Sequence, residues 1–118
     1  MISTFDDITE ELTEDELKLV APLINGLKFR KAANPIKAPE IVRGMNAHAI
    51  KHDLIKISDV RLRKLVNYIR TNSIAPIIAT SKGYYYASDP NEIRVQIESL
   101  NQRARSILSC AKGLEKFL

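Results

Sequence analysis

Apolar residues recur at helical spacing in separate stretches between Leu17 and Ile69, and at Ile74 the pattern changes. Two short runs rich in β-branched and aromatic residues follow, Pro76-Ile-Ile-Ala-Thr80 and Tyr84-Tyr-Tyr-Ala-Ser88, on either side of Ser81-Lys82-Gly83. That arrangement predicts a tight hairpin with glycine where the turn needs a positive φ. Helical spacing resumes at Asp89-Pro90-Asn91-Glu92, which supplies an N-cap, a proline at the first helical position and a glutamate at the third. One short hairpin between helical stretches limits the sheet to a small one. The fold class expected is mainly α with a small antiparallel β-hairpin, in the order helix, helix, helix, hairpin, long helix.

Upstream, Thr13 and Glu16 form a T-x-x-E capping box, and Leu17, Val20, Leu23, Ile24 and Leu27 follow at helical spacing. Pro22 interrupts this helix, either kinking it or starting a second segment. A polar connection from Lys31 to Lys37 comes next, with Ile36 as a one-residue strand. Pro39 suits the first turn of a second helix that buries Ile41, Val42 and Met45. Between Asn46 and Ile57 the pattern is ambiguous: Ala47–Lys51 can prolong the second helix, and Leu54–Ile57 reads as an apolar connector. Ser58 is a good N-cap for a third helix, whose Leu62, Leu65, Val66 and Ile69 share one face. Asn72 and Ser73 end it.

Charge is divided unevenly along the chain. Residues 1–26 hold one base against seven acids, residues 27–88 hold twelve bases against three acids, and residues 89–118 hold five against four. A concentrated basic segment is the footprint of a phosphate binder, although charge alone is equally compatible with a lysine-rich solvated surface. Order adds what charge lacks. A basic third helix followed at once by a hairpin is the winged helix-turn-helix arrangement, in which the third helix enters the major groove and the hairpin tip meets the DNA backbone. With Leu62, Leu65, Val66 and Ile69 turned inward, the opposite face carries Val60, Lys64, Asn67 and Thr71, with Arg63 on one flank and Arg61 and Tyr68 on the other. Arginine pairs bidentately with guanine and asparagine with adenine, while lysine and tyrosine hold phosphates. The expected DNA-binding residues are therefore Arg61, Arg63, Lys64, Asn67 and Tyr68 on the helix, with Ser81 and Lys82 at the wing. The plainer alternative for each is a solvated helix face, and Tyr68 serves equally well as a cover for the core. Tyr84, Tyr85 and Tyr86 are assigned to packing the hairpin, with at least one facing inward.

Three runs, Leu62-Arg-Lys-Leu-Val-Asn-Tyr-Ile-Arg70, Ala79-Thr-Ser-Lys-Gly-Tyr-Tyr85 and Glu98-Ser-Leu-Asn-Gln-Arg-Ala104, resemble small winged-helix proteins of bacteriophages and integrated mobile elements. The resemblance covers residues 58–118 well and residues 13–57 loosely. It implies DNA binding, with a role in phage regulation or replication. The stretch from Asn46 to Ser58 departs from the short turn usual in helix-turn-helix proteins.

The last helix is the most regular part of the chain. Ile93, Ile97, Leu100, Ala104, Ile107, Ala111, Leu114 and Leu118 recur at alternating spacings of four and three, the seam of a coiled coil. Leu108 and Phe117 widen that stripe. The expectation is a homodimer through Ile97, Leu100, Ala104, Ile107, Ala111 and Leu114, placing two recognition helices on a pseudo-palindromic site; packing of this helix within its own domain is the alternative. Cys110 flanks the seam as a small buried residue.

Little points to catalysis. No P-loop, nucleophile elbow or apolar carboxylate pair occurs, and no cofactor is expected. His48 and His52 lie four apart beside Asp53, yet no further ligand cluster accompanies them, so no metal is expected either. The acidic N-terminus lacks the order of a signal peptide, no run of residues is long and apolar enough to span a bilayer, and one cysteine suits a reducing compartment. A cytoplasmic protein is expected, neither an enzyme nor a membrane protein. Its parts are a flexible acidic N-terminus (1–12), a winged-helix core (13–88) and a C-terminal dimerisation helix (89–118). The acidic segment is a candidate shield for the basic face of the same or a neighbouring molecule. The competing function is a winged-helix module that binds another protein and has no direct DNA readout.

Overall fold

Thr13 caps the first helical turn among the described residues as its sequence predicts: its hydroxyl accepts from the Glu16 amide at 3.1 Å, and the Glu16 carboxylate accepts from the Thr13 amide at 2.9 Å. The computed structural model describes residues 11–118, and the chain is mainly helical with a two-stranded antiparallel hairpin and a long C-terminal helix. It divides into two compact units, one ending at Ala87 and the other running Ser88–Leu118. The expected flexible N-terminus lies outside the described residues as far as residue 10. Leu12 is half-buried and packs against the core.

Helix α1 (Glu14–Leu17) is a single turn, and α2 (Val20–Leu27) follows after a break at Lys18 and Leu19. Pro22 therefore starts a second segment. Its nitrogen has no hydrogen to donate to the carbonyl four residues back, on Lys18, so that bond is missing, and the next one, from the Leu23 amide to the Leu19 carbonyl, is made at 3.0 Å. Helix α3 (Ala38–His52) carries Pro39 at its second position and runs through Ala47–Lys51, prolonging the helix to His52. Asp53 then adopts a left-handed conformation (φ 53), and the Leu54 amide returns to the Ala49 carbonyl at 3.0 Å. The connector that follows is held from a distance. Asn46 Oδ1 accepts from the Ile57 amide at 2.8 Å, and Asn46 Nδ2 donates to the Ile57 carbonyl at 3.2 Å. One amide side chain thus satisfies both backbone groups of Ile57, whose own side chain is buried in the core.

Ser58 caps α4 (Asp59–Thr71), accepting from the Arg61 amide at 3.2 Å. Leu62, Leu65, Val66 and Ile69 are buried on one face of α4, where they join Leu19, Leu23, Leu27, Ile41, Ile57, Ala75 and Ile77 in a single core. The helix ends at Asn72, and Ser73 (φ 54) turns the chain toward the hairpin.

Strands β1 (Ile77–Thr80) and β2 (Gly83–Tyr86) pair antiparallel, with Ile77 opposite Tyr86 and Thr80 opposite Gly83. The second strand begins and ends earlier than the Tyr84–Ser88 run suggested, because Gly83 already belongs to the ladder. Ile36 pairs with Tyr84 through two backbone hydrogen bonds, of 2.9 and 2.8 Å, on the side of β2 away from β1. Gly83 sits at φ 131, and a Cβ there would meet the Ile36 carbonyl oxygen at 2.5 Å. Glycine is required at this position for conformation and for space. Tyr84 and Tyr86 pack against the core, and Tyr85 is buried as well.

The second unit is α5 (Pro90–Leu114) closed by a 3₁₀ turn at Glu115–Phe117. Asp89 caps it by accepting from the Glu92 amide at 3.0 Å, while Glu92 accepts from the Ser88 amide at 2.7 Å. No helix among the described residues is long and apolar enough to cross a membrane.

Candidate nucleic-acid interface

Burying four apolar residues of α4 forces its other positions outward, and those positions carry the polar and basic groups. Arg63 and Asn67 are exposed, and Lys64 and Tyr68 are half-buried. Lys64, Asn67, Tyr68, Thr71 and Asn72 form one wall of a groove of about 230 Å³. Its other wall is Glu11, Leu12 and Leu17 from the N-terminal segment. Asn72 is used within the helix end, its Nδ2 donating to the Tyr68 carbonyl at 2.9 Å. The groove thus gathers Lys64, Asn67 and Tyr68 and leaves Arg63 outside its lining.

Arg61 does not present its head group to solvent with these residues. Its Nε donates to Glu16 Oε2 at 2.7 Å and its Nη2 to Glu16 Oε1 at 2.6 Å, a bidentate pair whose side chains are only 12% and 10% exposed. A further bond runs from Nη2 to the Glu11 carbonyl at 3.1 Å. The placement of Arg61 among the base-reading residues is corrected on this point: a guanidinium engaged by a buried carboxylate is already occupied, and its planar fork matches carboxylate geometry. The pair also sets the charge state of Glu16. Hydrogen bonding from Arg61 holds its carboxyl below the ordinary value of 4.5, against an opposing push from burial and with help from the Thr13 amide.

At the hairpin, Ser81 and Lys82 are exposed at the tip as expected. Thr80 tightens the turn, its Oγ1 donating to the Gly83 carbonyl at 3.0 Å and accepting from the Lys82 amide at 3.2 Å. Sequence reasoning assigned no role to Arg30 and Lys31, yet both lie against the same hairpin. The Arg30 carbonyl accepts from the Tyr86 amide at 2.9 Å, and Lys31 Nζ stands 5.4 Å from the Tyr86 ring centroid. Their signal was the basic run Lys28, Arg30, Lys31, which ends where the polar connection from Lys31 to Lys37 begins.

A second concavity, about 300 Å³, lies between α2 and α3 and is lined largely by apolar groups, among them Leu23, Leu27, Ile41 and Met45. His48 reaches its edge, with its ring stacked on His52 at 4.1 Å between centroids. Among the described residues no third His, Cys, Asp or Glu joins them in a metal-binding group. Compared with protein-family models, curated proteins and solved structures, the chain matches none.

Proposed function

We propose that the first unit is a winged helix-turn-helix that binds double-stranded DNA, and that the protein acts as a homodimeric, non-enzymatic regulator or replication accessory of phage or mobile-element type. The observation that carries this reading is the order and pairing of elements around α4. Helix α2, the Ile36 strand residue, α3, α4 and a hairpin whose second strand lies between Ile36 and β1 follow one another, and α4 turns a polar, basic face outward. In this reading Arg63 and Asn67 meet base edges, Lys64 and Tyr68 meet phosphates, and Ser81 and Lys82 contact the backbone beside the site. Arg61 acts as a structural anchor for that face. Asn46 does the work a short turn does elsewhere, pinning the connector between α3 and α4. The Glu11, Leu12 and Leu17 wall sets an acidic N-terminal segment against the proposed DNA face, in keeping with the charge asymmetry of the sequence.

The test is a binding titration on random duplex at two salt concentrations, comparing the wild type with Arg63→Ala/Lys64→Ala. Wild-type affinity is expected to fall steeply with salt, and the double variant to bind more weakly with a shallower slope. Equal binding by the two proteins removes α4 as the DNA-contacting element. A second reading, a module that binds another protein, is favoured by the apolar cleft between α2 and α3, where Gly26 and Gly44 meet nothing within 4 Å of an added Cβ. No salt-dependent binding of duplex by the wild type selects that reading.

A further inference from the structure

Every residue from Asn101 to Leu118 is exposed, and Ile107, Leu108, Leu114, Phe117 and Leu118 are each at least 62% exposed. Helices in proteins draw most of their stability from packing an apolar face, and a stripe of large apolar side chains left exposed along one is an unsatisfied surface. Its residue pattern says what covers it. In heptad terms the a positions are Ile97, Ala104, Ala111 and Leu118, and the d positions are Ile93, Leu100, Ile107 and Leu114. Two parallel copies would place like against like, so alanine layers would leave voids between leucine or isoleucine layers that hold the helices apart. Two antiparallel copies place a against d, so that each alanine faces a large side chain and no alanine layer is left empty.

We infer that α5 pairs antiparallel with α5 of a second copy of this chain, on a two-fold axis beside Ser109. Ala104 then faces the partner's Leu114, and Ile107 faces the partner's Ala111. Leu108 meets the partner's Leu108 on one flank. On the other flank Arg103 lies alongside the partner's Phe117, a cation over an aromatic ring. Sliding the pairing by one heptad toward Ile97 sets Leu108 beside the partner's Asn101 and Arg103 beside the partner's Cys110, and loses both flank contacts. The inference rests on the homodimer part of the proposed function and fixes its geometry; it uses no residue of the DNA-binding face.

Sedimentation of the full chain tests the occupant, and cross-linking tests the direction. The wild type is expected to sediment as a dimer, and Ile107→Asp as a monomer with an unchanged thermal transition of the first unit. A monomeric wild type, or a dimer that survives Ile107→Asp, overturns the inference. For direction, Ala104→Cys and Leu114→Cys are made separately in a Cys110→Ser background and oxidised alone and as a mixture. In the antiparallel pair, equivalent positions are ten residues apart along the axis, about 15 Å, beyond the reach of a disulfide. Cross-linked dimer is therefore expected only from the mixture. Cross-linking of either variant alone shows a parallel pair, and none in the mixture excludes this register; both results refute the geometry while leaving DNA binding to its own assay.

Discussion

Replacing Glu16 with glutamine isolates one interaction, because the amide keeps the size of the side chain and an oxygen for the Thr13 amide. What it removes is the negative charge between two short bonds from Arg61. Both side chains are nearly nine-tenths covered, so neither water nor salt compensates as at an exposed pair. A hydrogen bond to a charged group contributes about 1.5–3 kcal/mol, and Glu16→Gln is expected to destabilise the first unit by about 2 kcal/mol. For a unit of this size that lowers the melting temperature by roughly 8–16 °C. The pH dependence carries the sharper signature. Arg61 depresses the folded-state pKa of Glu16 below 4.5, so the stabilisation is full above 4.5 and disappears as pH falls through the lowered folded value. The gap between wild type and Glu16→Gln should therefore close in acid. Urea unfolding at neutral and acid pH measures it, and a double-mutant cycle with Arg61→Met isolates the coupling. A coupling of about 0.5 kcal/mol or less, the value of a surface pair, or a gap unchanged with pH, would refute the reasoning.

Gly83→Ala should cost more than any surface substitution, since it combines an unfavourable φ with a 2.5 Å approach to the Ile36 carbonyl; calorimetry should show a loss exceeding about 2 kcal/mol. Asn46→Ala strands both backbone groups of Ile57 and should destabilise by about 1–3 kcal/mol, while Asn46→Asp, which still accepts from the amide, should lose less in the same denaturation assay at neutral pH. Lys64→Ala should reduce the salt slope of duplex binding by about one, whereas Arg61→Met should lower stability and leave that slope unchanged; equal slopes for wild type and Lys64→Ala would remove the lysine from the phosphate contacts.

Local chemistry was readable where its partners are close in the chain. Thr13, Ser58 and Asp89 each cap an amide three residues ahead or less, and Leu62, Leu65, Val66 and Ile69 share a face by helical geometry alone. The break before α2 was half legible: Pro22 announced it, and the missing amide places it four residues earlier, at Lys18. Long-range pairs left no such trace. Glu16 looked complete as a capping-box residue and Arg61 looked like a flank of the DNA-reading face, yet 45 positions of sequence separate two groups that the fold joins. Asn46 likewise gave no local sign that its amide serves Ile57. Leu12, a single apolar residue in an acidic run, was assigned to a loose segment but packs against the core. On the outer face of α4, helical geometry set Lys64, Asn67 and Tyr68 on one side, where they line one groove, while the groove wall opposite them depended on where the N-terminal segment returns.

The contact between Gly83 and Ile36 also orders events in time. During synthesis Ile36 leaves the ribosome well before β2 exists, and its amide and carbonyl stay with water until the hairpin arrives. The hairpin in turn lacks two backbone hydrogen bonds without that earlier residue, because Tyr84 exchanges both of them with Ile36. A two-stranded hairpin alone is marginal in water, so this one should gain protection from hydrogen exchange together with α2 and α3 and not ahead of them. A chain begun after Ile36 would keep every residue of the hairpin and lose its fixed form.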